Sequence, residues 1–288
     1  MTKFRHPVVA ISHGPGPLWL LKDGFGGVNS SSVSAQNVRE TFAKIYPSNA
    51  QPLPKRILFV SAHWESESSG FEISTAAQPD MIYDYYGFPN DAYEVVYAAK
   101  GDPAFAAKVK DVLADSKIVA KLVERGYDHG VFVPMSLIRP EADIPITTVS
   151  VNDRLSAKAH FELGKALAPF RDDETLIICS GQATHNLRAS RNPTDPLSEW
   201  ALGFQGWMDD VFTSASTLSY EERAASISTW DKTAPFAKTA HPSPEHFSPF
   251  IVAAGAGMDE AQPEGEKFIG GWGMGQLSFA SYAWGITK

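Results

Sequence analysis

Four stretches of the chain are apolar almost without interruption: Val8-Val9-Ala10-Ile11, Ile57-Leu58-Phe59-Val60, Ile146-Thr147-Thr148-Val149-Ser150-Val151 and Leu176-Ile177-Ile178-Cys179. Short β-branched runs of this kind predict strands, and the near absence of polar alternation predicts strands covered on both faces. Between them the apolar positions change to helical spacing. Asp102-Pro103 places an N-cap before a proline at the first helical position and predicts a helix to about Leu113. Ser156 to Phe170, Ser198 to Phe212 and Ser219 to Ser228 predict three more. Strands alternating with helices give an α/β fold with a mostly parallel central sheet flanked by helices. No repeat, low-complexity tract or linker interrupts the 288 residues, so one domain spanning 1–288 is expected. The glycine-rich Gly270–Gly275 reads as a loop, and the alternating Gln276–Trp284 as a half-exposed last strand.

Composition removes several classes of function. Lys and Arg number 25 against 33 Asp and Glu, a net charge of −8, and no basic run occurs. Nucleic acid is therefore not an expected partner, because binding a phosphate backbone rests on clustered cations. No apolar stretch approaches the roughly 18 residues that cross a membrane. The start, Met1-Thr2-Lys3-Phe4-Arg5-His6-Pro7, is too short and polar for a signal peptide. Cys179 is the only cysteine, which excludes an intrachain disulfide and any cysteine-based zinc or iron–sulfur site. A cytoplasmic location is expected, and any metal must be held by histidine and carboxylate.

The eight histidines carry the candidate chemistry. His13 follows the first apolar run, His63 the second, and His185 the run ending at Cys179. In a parallel sheet the carboxyl ends of the strands share one edge, where ligands generally bind, so these three converge although they are distant in sequence. His129 lies in a turn, Tyr127-Asp128-His129-Gly130. His241-Pro242-Ser243-Pro244-Glu245-His246 opens a helix, with Ser243 as cap and His246 in the first turn. His6, near a terminus, and His160, mid-helix, read as structural. His13 and His63 sit beside small residues that leave room for an ion, and read as ligands. Imidazoles without thiolates suit iron, zinc, copper or nickel.

Taken in order, Ser61-Ala62-His63-Trp64, Tyr86-Gly87-Phe88-Pro89, Tyr127-Asp128-His129-Gly130, Ser180-Gly181 with His185-Asn186-Leu187, and His241-Pro242-Ser243-Pro244-Glu245-His246-Phe247 resemble the class III extradiol ring-cleavage dioxygenases. The nearest branch is that of the 4,5-DOPA extradiol dioxygenases, related to the catalytic subunit of protocatechuate 4,5-dioxygenase. The matches run from His13 to about Trp284. The resemblance implies that His13, His63 and His246 hold the metal, that His185 is the acid–base residue, and that His129 faces the substrate. His241 matches a position of the family's motif, and the resemblance leaves its role open. More distant class III enzymes use glutamate as third ligand, which makes Glu245 the alternative to His246.

The activity so implied is opening of a catechol ring by dioxygen beside its two hydroxyls, giving a muconate semialdehyde. Fe(II) is the cofactor this chemistry needs, and the same site would accept Zn(II). Unperturbed histidine titrates near pH 6.5, which lets His185 take and return a phenolic proton. Trp19, Trp64, Tyr86 and Phe88 are candidates for the pocket wall. Two rival readings share the scaffold: a zinc hydrolase using a metal-bound water, and a non-enzymatic binding protein like the Memo branch of the superfamily.

Overall fold

The computed structural model describes residues 4–48, 50–189 and 192–287. Met1, Thr2 and Lys3, part of the start read above as too polar for a signal peptide, lie outside them. All four apolar runs are strands, and they lie side by side at the centre of an eight-stranded sheet. Across the sheet the order is Ala120–Val123, Phe71–Ser74, Ile146–Val151, Arg56–Glu65, Thr175–Gly181, Val8–Ser12, Ser281–Trp284 and Glu266–Ile269. The four central strands are mutually parallel. Phe71–Ser74 meets them antiparallel at one side, and Ser281–Trp284 does so at the other.

Alternate residues of the central strands enter two different cores. Val8, Ala10, Leu58, Val60, Ile177 and Cys179 face one. Val9, Ile11, Ile57, Phe59, Leu176 and Ile178 face the other. This is why the runs are apolar throughout: each residue has a helical layer over it. Helices Ala157–Leu167 and Ser248–Gly257 cover the first face, and Val33–Arg39 and His129–Ile138 the second.

The capped helices form as expected. Asp102 accepts the Phe105 N–H at the head of Pro103–Asp115, Ser156 caps Ala157–Leu167, and Ser219 forms a capping box with Glu222 before Tyr220–Ser228. Glu199–Phe212 follows Ser198.

Four local expectations are corrected. The strand holding His63 runs on to Glu65, so His63 lies within it, where pairing to Ile146–Val151 slips between Ser61 and Glu65. His129 is not in a turn: Tyr127–Asp128 pairs with Met81–Ile82, and His129 begins the helix to Ile138. His246 precedes its helix, which starts at Ser248 with Pro249 in its first turn, so Ser243 does not cap it. The last strand is buried, not half-exposed, and is broken in two. Leu277–Ser278 pairs with Trp272–Gly273, inside the stretch read as loop, and Ser281–Trp284 joins the main sheet. The polar positions of that alternation are small serines satisfied internally: the Ser281 hydroxyl accepts the Ser12 N–H and donates to the Phe279 carbonyl.

A candidate metal centre

The carboxyl ends of the parallel strands deliver His13, His63 and His185 to one edge, as expected. His13 is the first residue past Val8–Ser12, and its N–H is held by the Gly181 carbonyl at 2.9 Å. The pairing slip around His63 is a bulge-like irregularity, a device that re-aims a side chain out of the ladder. His246 arrives from the opposite side on the turn before Ser248–Gly257. Its carbonyl accepts the Gln182 N–H and lies so near Gly181 that a Cβ there would sit 2.2 Å from it. Only glycine lets that turn close on the strand end.

Three ring nitrogens meet at the centre. His63 Nε2 lies 3.1 Å from His13 Nε2 and 3.2 Å from His246 Nε2. Each outer nitrogen has a proton acceptor. The Ser180 hydroxyl donates its one hydrogen to the Gly130 carbonyl at 2.5 Å, so it accepts from His13 Nδ1–H at 3.0 Å. His63 Nδ1 faces Asp84 Oδ2 at 3.2 Å, and His246 Nδ1 faces Glu245 Oε1 at 2.8 Å. With protons on the three Nδ1 atoms, the three Nε2 atoms are bare lone pairs pointing at one another. Burial, and after it the neighbouring imidazoles, hold His13 and His246 well below the ordinary histidine pKa, which keeps them neutral.

Lone pairs about 3 Å apart repel unless a cation lies between them. Two nitrogens bound at right angles to one ion at about 2.1 Å are about 3.0 Å apart, and about 3.4 Å at the tetrahedral angle. The observed 3.1 and 3.2 Å fall in that range. The donor set therefore fits one borderline divalent cation with imidazole affinity. Glu245 Oε1 bonds His246 Nδ1, on the far side of that ring from the three Nε2 atoms, and groups with His185 and His246 as a second set of candidate ligand atoms.

Two further histidines flank this centre. His185, four residues beyond Gly181, stacks on His246 with ring centroids 3.5 Å apart. Burial pulls its pKa down to about 4, against the raising effect of Glu245, so it stands unprotonated at neutral pH. His129 lies 3.8 Å from the His63 ring, centroid to centroid. Its Nδ1 donates to Asp84 Oδ1 at 2.8 Å and its backbone N–H to the same oxygen at 3.0 Å, leaving Nε2 for the cavity. Burial lowers the His129 pKa as well.

Asp84, which sequence reasoning missed, therefore orients both His63 and His129. Burial alone would raise its carboxyl pKa, but the hydrogen bonds from the two imidazoles outweigh that and hold it below the usual range. It reaches them because the short pairing of Met81–Ile82 with Tyr127–Asp128 sets the following loop against the helix start. An Asp flanked by tyrosines carries no sequence signal for this.

The centre opens into a cavity of about 740 Å³. Its walls include Tyr86 and Phe88, as expected, together with Leu18, Phe25, Tyr85 and Met274. Trp19 and Trp64 are not in it. Trp19 is buried beneath Gly14 with its indole N–H on Ser34, and Trp64 is buried against Glu72 and Arg125. His6 and His160 are structural: His6 bonds the Tyr46 hydroxyl, and His160 lies between Ser156 and the Asn152 N–H. His241 lies outside the cavity.

Comparison with known proteins gives concordant matches. Residues 7–278 match the family described as the catalytic LigB subunit of aromatic ring-opening dioxygenase. A 4,5-DOPA dioxygenase extradiol of Beta vulgaris is 39% identical over 236 residues, covering 81% of this chain and 84% of that protein. A dioxygenase of Hapsidospora irregularis, tasH, is 35% identical over 97% of this chain and 85% of its own length. The crystal structure of an uncharacterized protein from Escherichia coli K12 superposes with a TM-score of 0.73 at 26% identity, covering 98% of this chain and all of that one.

Proposed function

The chain belongs to the LigB family of extradiol aromatic ring-opening dioxygenases, and from that membership we propose that it opens a catechol ring with O2 at an Fe(II) centre held by His13, His63 and His246. The observation that carries this reading is the set of three Nδ1 atoms, each committed to an acceptor, with three bare Nε2 atoms facing one another. The order His13, His63, His246 is the ligand order implied by the resemblance to the 4,5-DOPA branch. Ferrous iron bound there would bring a catechol and dioxygen together on one ion and let electron density pass between them.

The protein's own side chains supply the rest. His185, unprotonated beside His246, accepts a phenolic proton so that the substrate binds as a catecholate, and returns it during ring opening. His129 offers Nε2 to a substrate hydroxyl while Asp84 fixes its ring through Nδ1. The aromatic wall from Tyr85 to Phe88 holds the ring plane and limits water. Both oxygen atoms enter the product, a muconate semialdehyde. A reducing, cytoplasmic compartment suits a ferrous site, and the one cysteine, buried Cys179, is in keeping with it.

Anaerobic loading with Fe(II), followed by metal analysis and oxygen uptake with a catechol, tests this reading. We expect one iron per chain, one O2 consumed per catechol, loss of bound metal in His63→Ala, and no uptake by the zinc-loaded protein. A full complement of metal in His63→Ala would overturn the ligand assignment. Iron binding without oxygen uptake would overturn the activity.

A further inference from the structure

His185 stands four residues beyond the end of its strand, outside the sheet's ladder, so its position depends on whatever pins residues 182–186. That segment lies along residues 239–246. The Gln182 N–H donates to the His246 carbonyl at 2.9 Å, the His185 N–H to the Ala240 carbonyl at 2.9 Å, and the Asn186 side-chain amide to the Thr239 carbonyl at 2.8 Å. From the sheet side Ser12, Gln276 and Ser278 hold residues 182–184, and from the opposing segment one side chain holds the Ala183 carbonyl: His241 Nε2 bonds it, buried, at 3.0 Å. A carbonyl accepts only, so His241 carries its proton on Nε2.

His241 is otherwise a residue in the wrong place. It is buried, with Phe204, Trp230 and Phe247 rings 5.2–5.8 Å from its own. Its Nδ1 has no hydrogen-bond partner among the described residues. A phenylalanine or leucine would fill this aromatic pocket without burying an unpaired acceptor. What an apolar residue could not do is donate to Ala183.

We infer that His241 is a positioning residue for His185, acting through the Ala183 carbonyl to hold the 183–185 segment at the height from which His185 meets the substrate. This rests on the reading of His185 as the acid–base residue. A displacement of about 1 Å at a reacting group is worth about 10²-fold in rate; the Ala183 N–H and the Thr184 hydroxyl are held by the sheet side, so the His241 bond is what fixes the Ala183 carbonyl, and with it the peptide plane that leads to His185.

The test compares His241→Phe and His241→Asn, which both remove the Nε2 donor, with His241→Gln, whose amide nitrogen falls near the Nε2 position. The first two are expected to lose about 10- to 100-fold in kcat, with KM within about twofold of wild type and iron content unchanged. In the metal-free protein the amides of 183–186 should exchange faster with solvent in these variants, while those of helix Ser248–Gly257 do not. His241→Gln should restore both. Adding His241→Asn to His185→Ala should cost nothing further, because the two act as one unit. Wild-type turnover in His241→Asn overturns the inference, as does a loss that multiplies with that of His185→Ala, or one that follows iron content. If His241→Phe does not fold, His241→Asn and His241→Gln decide it. If His185→Ala itself keeps full turnover, the acid–base reading fails instead, and unchanged exchange at 183–186 in His241→Asn then overturns the positioning role independently.

Discussion

Replacing Asp84 with asparagine removes a charge and one acceptor while keeping the shape. The carboxylate accepts three hydrogen bonds: from His129 N and Nδ1 at Oδ1, and from His63 Nδ1 at Oδ2. An asparagine oriented to keep the two His129 bonds turns its NH2 toward His63 Nδ1–H, donor against donor. His63 must then lose its partner or move its proton to Nε2, the atom aimed at the metal. Leaving one buried donor unmatched costs about 1–3 kcal/mol. Loss of an outer partner of a ligating histidine lowers metal affinity about 10- to 100-fold, or about 1.4–2.8 kcal/mol, the same range by an independent route. Competition between the protein and a chromophoric chelator for Zn(II) or Fe(II) measures it directly. We expect Asp84→Asn to raise the dissociation constant within that range with little change in melting temperature, since the site lies at the sheet edge rather than in either core. An affinity within twofold of wild type would refute the argument that Asp84 fixes the His63 tautomer.

Two other outcomes follow from the same geometry. His185→Ala and His185→Gln should both retain iron and still bind catechol, yet lose about 10²–10⁴ in turnover; loss of iron would make His185 a ligand, and undiminished oxygen uptake would move its role to His129. The metal-free protein should lose stability on mild acidification. His6, His160 and His241 have pKa values lowered chiefly by burial, His241 to about 3. Below pH 6.5 the unfolded chain binds protons that the folded one does not, so stability is full above 6.5 and falls as the pH drops towards the folded values. A melting temperature unchanged between pH 7.5 and 5 would contradict the neutral buried imidazoles, and His160→Gln should make the decline shallower.

What could be read from the sequence follows the strength of the local signal. The four central strands are legible because burial on both faces leaves apolar residues and, in Ile146–Val151, only small buried hydroxyls among them, with no charge to confuse the pattern. Once they are parallel, the convergence of His13, His63 and His185 follows from topology alone. The flanking strands Phe71–Ser74 and Ala120–Val123 carry Glu72 and Lys121 in four-residue segments and give no such run. The alternation in Gln276–Trp284 suggests exposure because small buried serines look like solvent-facing ones in sequence. Asp84 and Glu245 orient ligands through contacts that depend on loop placement, which no periodicity encodes. His246 is legible only through its motif, and its helix begins four residues later than the Ser243-Pro244 pair suggests.

Catechol opening by dioxygenation at this three-histidine centre can be followed in a single turnover of the Fe(II)-loaded protein under ¹⁸O2, with the product trapped and its mass measured. A ring-opened semialdehyde carrying both labelled atoms is expected, and none from His63→Ala carried through the same loading. An intact ring, or a product whose new oxygen comes from water, would contradict it.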